Sequence, residues 1–259
     1  MRTVLATRYV TPLREGGSLP AIVEADDSGL YVVKFRAAGH GTKALIAEWL
    51  SGELARAAGI RVPEIVGVEV DAALGRNEPD PEIRELLRNS TGTNIGLDFL
   101  PGSITFDPTA GPAPPADEAS AIVWFDAFTT NVDRTPRNPN LLAWHRQLWL
   151  IDHGSSLYFH HAWDPTASDG RNAFAPIRDH VLLPWATGIA TAGERIAAAW
   201  TPAVVTSVLA AIPDAWLTDE PRFASPAEHR EAYAHYFERR LGAATIFTEE
   251  AERARHAVV

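Results

Sequence analysis

Residues 109–116 read T-A-G-P-A-P-P-A, and the chain changes character across them. Each proline fixes φ and lacks a donor, so this stretch suits an extended connector and neither a helix nor a central strand. Ahead of it the signals are β-rich. Segments 20–25 and 30–35 flank Asp26-Asp27-Ser28-Gly29, a turn sequence, and read as a hairpin. Arg14-Glu15-Gly16-Gly17-Ser18 is a glycine-rich bend between strand candidates, and strands are expected again at 62–70 and 93–100. Two helices interrupt them. One spans 42–58, with Leu45, Trp49, Leu50 and Leu54 at helical spacing and Gly59 at its end; the other is a short surface helix at 80–88. Beyond the connector, 117–130 reads as a helix, 157–188 as irregular and aromatic, and Thr201-Pro202 opens a helix at 203–212. Ser225-Pro226-Ala227-Glu228 is a capping-box pattern ahead of a long helix carrying Tyr233, Tyr236, Phe237 and Leu241. The order predicts an α+β fold with a β-rich N-terminal lobe at 1–100, a mainly helical lobe at 101–259, and a cleft between them.

Composition removes several functional classes. A net charge of −10 argues against a nucleic-acid partner, which calls for a basic face. No apolar run is long enough to span a bilayer, and Arg8 breaks any signal-peptide core, so no membrane insertion and a cytoplasmic location are the expectations. The absence of cysteine rules out disulfides, thiolate metal sites and a thiol nucleophile. Among 23 basic residues only Lys34 and Lys43 are lysines. In a chain that habitually uses arginine, a lysine suits a place where a compact ammonium is needed. Lys34 sits in a strand, where two roles are open: that one, or an exposed edge residue that discourages aggregation.

The segment 131–154 carries the densest chemistry. Asp133 and Asn138 lie in a proline-broken loop, two apolar runs at 141–144 and 148–151 form a hairpin, and Asp152-His153-Gly154 follows. A turn centred on Arg146-Gln147 would set Leu141 opposite Asp152 and Asn140 opposite His153. Asp152 then returns to the neighbourhood of Asn138. Two carboxylates and a carboxamide converging at a hairpin mouth suit a hard divalent cation such as Mg²⁺, with Asp133 left over as a base. Asn138 and Asn140 compete for the second ligand position.

Asp133-Arg134-x-x-x-Asn138 followed by Ile151-Asp152-His153-Gly154 resembles the catalytic loop and metal-binding D-x-G of the protein-kinase-like superfamily. The D-R form is similar to phosphatidylinositol kinases and to HipA-like kinases, and the R-N-P-N-L-L continuation favours the HipA-like side. Two departures stand out: no His-Arg precedes Asp133, and His153 replaces the usual Phe. The resemblance implies a two-lobed protein-kinase-like fold that uses ATP and Mg²⁺. In it Asp133 is the base, and Asn138 and Asp152 are the metal ligands. Lys34 grips phosphates, and Glu48 on the following helix holds it, with Glu53 as competitor. Gly17 and Ser18 would offer backbone N–H groups to phosphates, or form a plain turn. Phe99 and Leu100 sit where a hinge backbone would meet adenine.

For the acceptor, HipA-like relatives imply a protein serine or threonine hydroxyl. A small-molecule or lipid alcohol is the alternative, and the acidic composition and lack of a basic amphipathic helix weigh against an anionic membrane substrate. A non-catalytic nucleotide-binding module and transfer of AMP stay open. The chain is shorter than full HipA-like toxins, which leaves room for a partner protein. His160-His161 near Asp164 lacks further ligands at a recognised spacing and reads as structural or substrate-facing.

Overall fold

The computed structural model describes residues 1–13, 19–76, 78–164 and 167–258. Its first part is a five-stranded barrel. Strands β1 (Thr3–Pro12), β2 (Ala21–Ala25) and β3 (Leu30–Lys34) run antiparallel in sequence; helix α1 (Thr42–Ala57) follows, then β4 (Ile65–Val70), α2 (Pro81–Asn89) and β5 (Gly92–Asp98). The strand order is β1-β2-β3-β5-β4, and β4 closes the ring by pairing in parallel with β1 at Thr3–Leu5. Period-two alternation sends Tyr31 and Val33 into the barrel core, with Val4, Val23, Val66 and Val68, and turns Val32 and Lys34 to the other side. The Asp26–Gly29 turn is present: the Ser28 N–H donates to the Ala25 carbonyl, with Ser28 at φ 65°.

The remainder is mainly helical. A two-residue strand, β6 (Ile104–Thr105), precedes α3 (Ala116–Thr129) and pairs with the hairpin of β7 (Leu141–Trp144) and β8 (Gln147–Leu150). Short 3-10 turns between 158 and 185 lead into α4 (Ile189–Ala199), α5 (Pro202–Ala210), α6 (Asp214–Leu217), α7 (Pro226–Gly242) and α8 (Ala244–Val258). The helix starts follow their sequence signals. Asp80 accepts from the Glu82 N–H, Thr201 from Val204 and Ser225 from Glu228.

One sequence expectation is corrected. The hairpin turns at His145-Arg146, not Arg146-Gln147, because both of those residues take left-handed φ (50° and 62°), as a two-residue type I′ connection requires. Leu141 therefore faces Leu150 rather than Asp152, and the Asn140 carbonyl accepts from the Ile151 N–H. α4 and α8 are helices that none of the sequence signals above marks. α4 is alanine-rich, and Gly193 stands inside it where the helix meets α3. A Cβ there would lie 2.2 Å from Trp124 Nε1, so only glycine lets α4 approach α3. Trp124 in turn donates to Thr248 Oγ1 on α8 at 2.8 Å.

One large core joins α1 to the helical half: Leu45, Trp49, Leu50 and Leu54 pack with Trp124, Phe125, Phe128, Trp200 and Trp216. Three indoles fasten it. Trp49 donates to the Val208 carbonyl, Trp200 to Leu54 and Trp216 to Thr93, at 2.8–2.9 Å. These bonds hold α1 and β5 against the helices that follow. Trp200 and Trp216 thus have a packing role, and Trp185 lies against the same core.

Candidate active site

Lys34 is not at a sheet edge. β3 lies between β2 and β5, and the outward side of Lys34 faces α1. Its Nζ donates to Glu48 Oε2 at 2.6 Å and to Asp152 Oδ1 at 2.7 Å. Glu48 is fully buried because α1 is covered around much of its circumference. The competing Glu53 pairs with Arg56 on its own helix instead. Burial by itself would push the Lys34 ammonium down, but the Glu48 and Asp152 carboxylates more than offset it and hold the lysine above its ordinary range. Burial likewise opposes ionisation of Glu48; Lys34 and the His153 hydrogen bond reverse that and lower it to about 2.

Asp152 sits just beyond β8 at φ 56°, and its side chain is 43% exposed, open to the cleft. The next residue turns inward. The His153 N–H donates to Glu48 Oε2 at 2.8 Å, and its Nδ1 lies 3.4 Å from Glu48 Oε1. Lys34, Glu48, Asp152 and His153 are thus one connected polar group.

The loop before the hairpin is built on a buried arginine. Arg134 Nε donates to Asp126 Oδ2 on α3 at 2.5 Å, and its Nη1 donates to the Asn140 carbonyl and, at 3.4 Å, to Ile151. His180 Nε2 reaches the same Asp126 oxygen at 2.9 Å, and Asn131 Nδ2 reaches Oδ1 at 3.2 Å. One carboxylate therefore fixes the loop, the strand leading to Asp152 and the segment around residue 180. Burial opposes the Asp126 charge, yet Arg134 and His180 bring it down to about 2. The Asn131 carboxamide accepts from the Asp133 N–H at 3.1 Å.

Asp133 Oδ2 accepts from both asparagines, Asn138 Nδ2 at 2.9 Å and Asn140 Nδ2 at 3.3 Å. Each carboxamide oxygen is thereby turned from Asp133. Asn138 is exposed and Asn140 buried. Lys34, Asp133, Asn138, Asn140 and Asp152 all line one cleft of about 1100 Å³, with Val32, Leu97 and Leu142 as apolar walls. A cation held here would have one carboxylate and one carboxamide from the protein; no group of three or more His, Asp or Glu suited to a metal occurs among the described residues. A donor set so short in protein oxygens suits Mg²⁺, which keeps waters and phosphate oxygens as its other ligands.

Phe99 and Leu100 also line the cleft. The Phe99 N–H is engaged by the Leu30 carbonyl, and the Leu100 carbonyl accepts from Ser103 N–H and Oγ, so adenine would have to use other backbone groups of these two residues. Gly17 and Ser18 lie outside the described residues. His160 is buried with Nδ1 2.9 Å from the Tyr233 hydroxyl. Sequence reasoning missed Asp126, His180, the Arg134 interior and the His153 side chain. The Asp-Arg pair was legible, but a buried charge network leaves no period or spacing by which Asp126 could be told from an exposed helix residue.

A β-barrel lobe with a lysine–glutamate pair, facing a helical lobe with an acidic loop and D-x-G, defines a protein-kinase-like fold, and solved structures similar to it are kinases. The Helicobacter pylori proinflammatory kinase CtkA aligns over 99% of both chains at 12% identity, TM-score 0.55. The Golgi casein kinase with Mn/ADP bound covers 100% of this chain and 75% of its own, at 12% identity and TM-score 0.52. No curated protein matches in sequence. The model of the HipA-like kinase family matches residues 7–241, and the chain belongs to that family. It is a kinase.

Proposed function

We propose that this kinase transfers the γ-phosphate of ATP, with Mg²⁺, to a serine or threonine hydroxyl of a protein. The observation that carries the reading is the placement of Lys34 Nζ within 2.7 Å of both Glu48 and Asp152, in the cleft that Asp133 and Asn138 also line. Lys34 would hold the α- and β-phosphates, kept in place by Glu48. Asp152 and the carboxamide oxygen of Asn138 would hold the metal, which supplies charge neutralisation on the phosphate oxygens when bound. The exposure of Asn138 favours it over Asn140. Asp133, steadied by two carboxamide donors, would orient the acceptor hydroxyl and take its proton. Phe99 and Leu100 would meet the adenine, and Gly17 and Ser18 the phosphates, with the lobes meeting at 100/101. The Mn/ADP bound to the Golgi casein kinase supports nucleotide and divalent-metal use, and that relative's name supports a protein acceptor, both at the level of fold likeness.

The test uses ATP labelled at the γ- or the α-phosphate, with Mg²⁺ and either a serine/threonine peptide mixture or phosphoinositide vesicles. Label from the γ-position on peptides is expected. Label from the α-position indicates AMP transfer, label on lipid indicates the alcohol-kinase alternative, and ATP binding with no transfer indicates a non-catalytic module.

A further inference from the structure

The D-x-G segment carries histidine at its middle position, and that histidine is fully buried. Its ring stands edge-on to Phe125, with centroids 6.2 Å apart. A phenylalanine there would leave Glu48 Oε1 without the imidazole. Nδ1 lies 3.4 Å from that oxygen, while Oε2 receives Lys34 and the His153 N–H at 2.6 and 2.8 Å. A carboxylate can only accept, so the Nδ1 contact requires the proton on Nδ1. Nε2 has no hydrogen-bond partner among the described residues, consistent with a ring oriented by what Nδ1 does. Both Glu48 oxygens are then occupied, one by the ring and one by Lys34 and the backbone, which fixes the carboxylate plane.

We infer that the His153 imidazole is a positioning residue: by holding Glu48 Oε1 it sets the carboxylate that aims Lys34 into the cleft, and so ties the Asp152 segment to the lysine through a side chain as well as the backbone. It touches neither nucleotide nor acceptor. Its effect on transfer rests on the kinase reading above; its effect on Lys34 does not.

Two polar substitutions separate this role from plain core filling. Asn places its amide near the Nδ1 position, whereas Gln places it near Nε2. With only two lysines in the chain, carbon-13 lysine labelling gives one Lys34 signal and one Lys43 signal, the latter an internal reference. In His153→Asn the Lys34 side-chain signal should stay near its wild-type position and turnover within about threefold. In His153→Gln and His153→Phe the Lys34 signal should move or broaden, Lys43 should not, and kcat should fall roughly tenfold, the scale of one lost hydrogen bond. Neither variant should lower activity further in a Glu48→Gln background, since the route through Glu48 is already gone. A Lys34 signal unmoved in folded His153→Gln and His153→Phe overturns the inference, as does a full additional loss on top of Glu48→Gln. Should the wild type transfer nothing from ATP while the Lys34 signal responds as described, the kinase reading fails and the positioning role stands.

Discussion

Lys34 Nζ and Asp152 Oδ1 meet at 2.7 Å across 118 residues of chain. The contact requires that β3 present its outward face to α1 and that the hairpin deliver Asp152 to the same place. Lys34 is therefore where the two halves of the molecule report on each other, and changes around it separate chemistry from folding.

Lys34→Arg tests whether a compact ammonium is needed. Arginine keeps the charge but brings a planar, wider group into a gap set by Glu48 and Asp152. We expect melting within a few degrees of wild type and a loss of roughly two orders of magnitude in transfer, equivalent to about 2.7 kcal/mol of barrier. Glu48→Gln should cost less. Thermal melts run beside ATP turnover decide it, and a fully active Lys34→Arg protein would withdraw Lys34 from the site.

Asp152→Ala should abolish Mg²⁺-dependent strengthening of ATP binding, because the only carboxylate assigned to the metal is gone. Asn138→Ala should give a milder form of the same defect and Asn140→Ala a smaller metal effect. Calorimetric titration of ATP with and without Mg²⁺ makes the comparison. If Asn140→Ala weakens metal-dependent binding more than Asn138→Ala, the second ligand has been placed on the wrong asparagine.

The pH dependence of stability follows from groups whose ionisation folding shifts. Burial lowers His160, His180 and His229 below the ordinary histidine range, so they are held neutral in the fold and are more readily protonated in the unfolded chain. Stability from them is complete above the unfolded histidine pKa and declines as pH falls through about 6.5. Glu48 and Asp126, both at about 2 in the fold, add a second loss as pH falls from about 4.5 toward 2. Tm should therefore drop in two stages on acidification. A Tm that rises between pH 7 and pH 5 would contradict the first.

Two glycines should respond differently to alanine. At Gly193 the new Cβ meets the buried Trp124 ring 2.2 Å away, and that ring is hemmed in by Phe128, Trp200 and Phe247. Gly193→Ala should destabilise by about 1–3 kcal/mol. At Gly52 the close atom is Ile65 Cδ1, the free end of a flexible side chain. There repacking is cheap and helix propensity favours alanine by about 1 kcal/mol, so Gly52→Ala should come out near neutral. Urea denaturation of the two variants checks the ordering.

Much of this was legible in the chain because the strongest signals are local. Strand alternation, the helix starts at Thr201 and Ser225, and the Asp133–Asn138 and Asp152–Gly154 spacings each lie within a few residues of one another. The hairpin register was not legible, because His145-Arg146 carries none of the Asn or Gly preference of a left-handed turn and takes that conformation under the pull of the flanking strands. α4 was obscured by Gly193, whose reason is a tryptophan 69 positions earlier in sequence, on another helix. The Asp126–Arg134–His180 group and the burial of Glu48 depend on which faces are covered by distant elements, and no pattern within one segment encodes that.

The proposed site needs Asp133 in the transfer step rather than in binding. The most direct measurement pairs single-turnover transfer of γ-labelled phosphate with calorimetric ATP affinity for the wild type and Asp133→Asn. Asparagine keeps the shape and a carboxamide oxygen for Asn138 and Asn140, but cannot take a proton. The expected result is ATP affinity within about twofold of wild type and transfer reduced by at least about 100-fold. Transfer retained near the wild-type rate, with affinity unchanged, would contradict the assignment of this site.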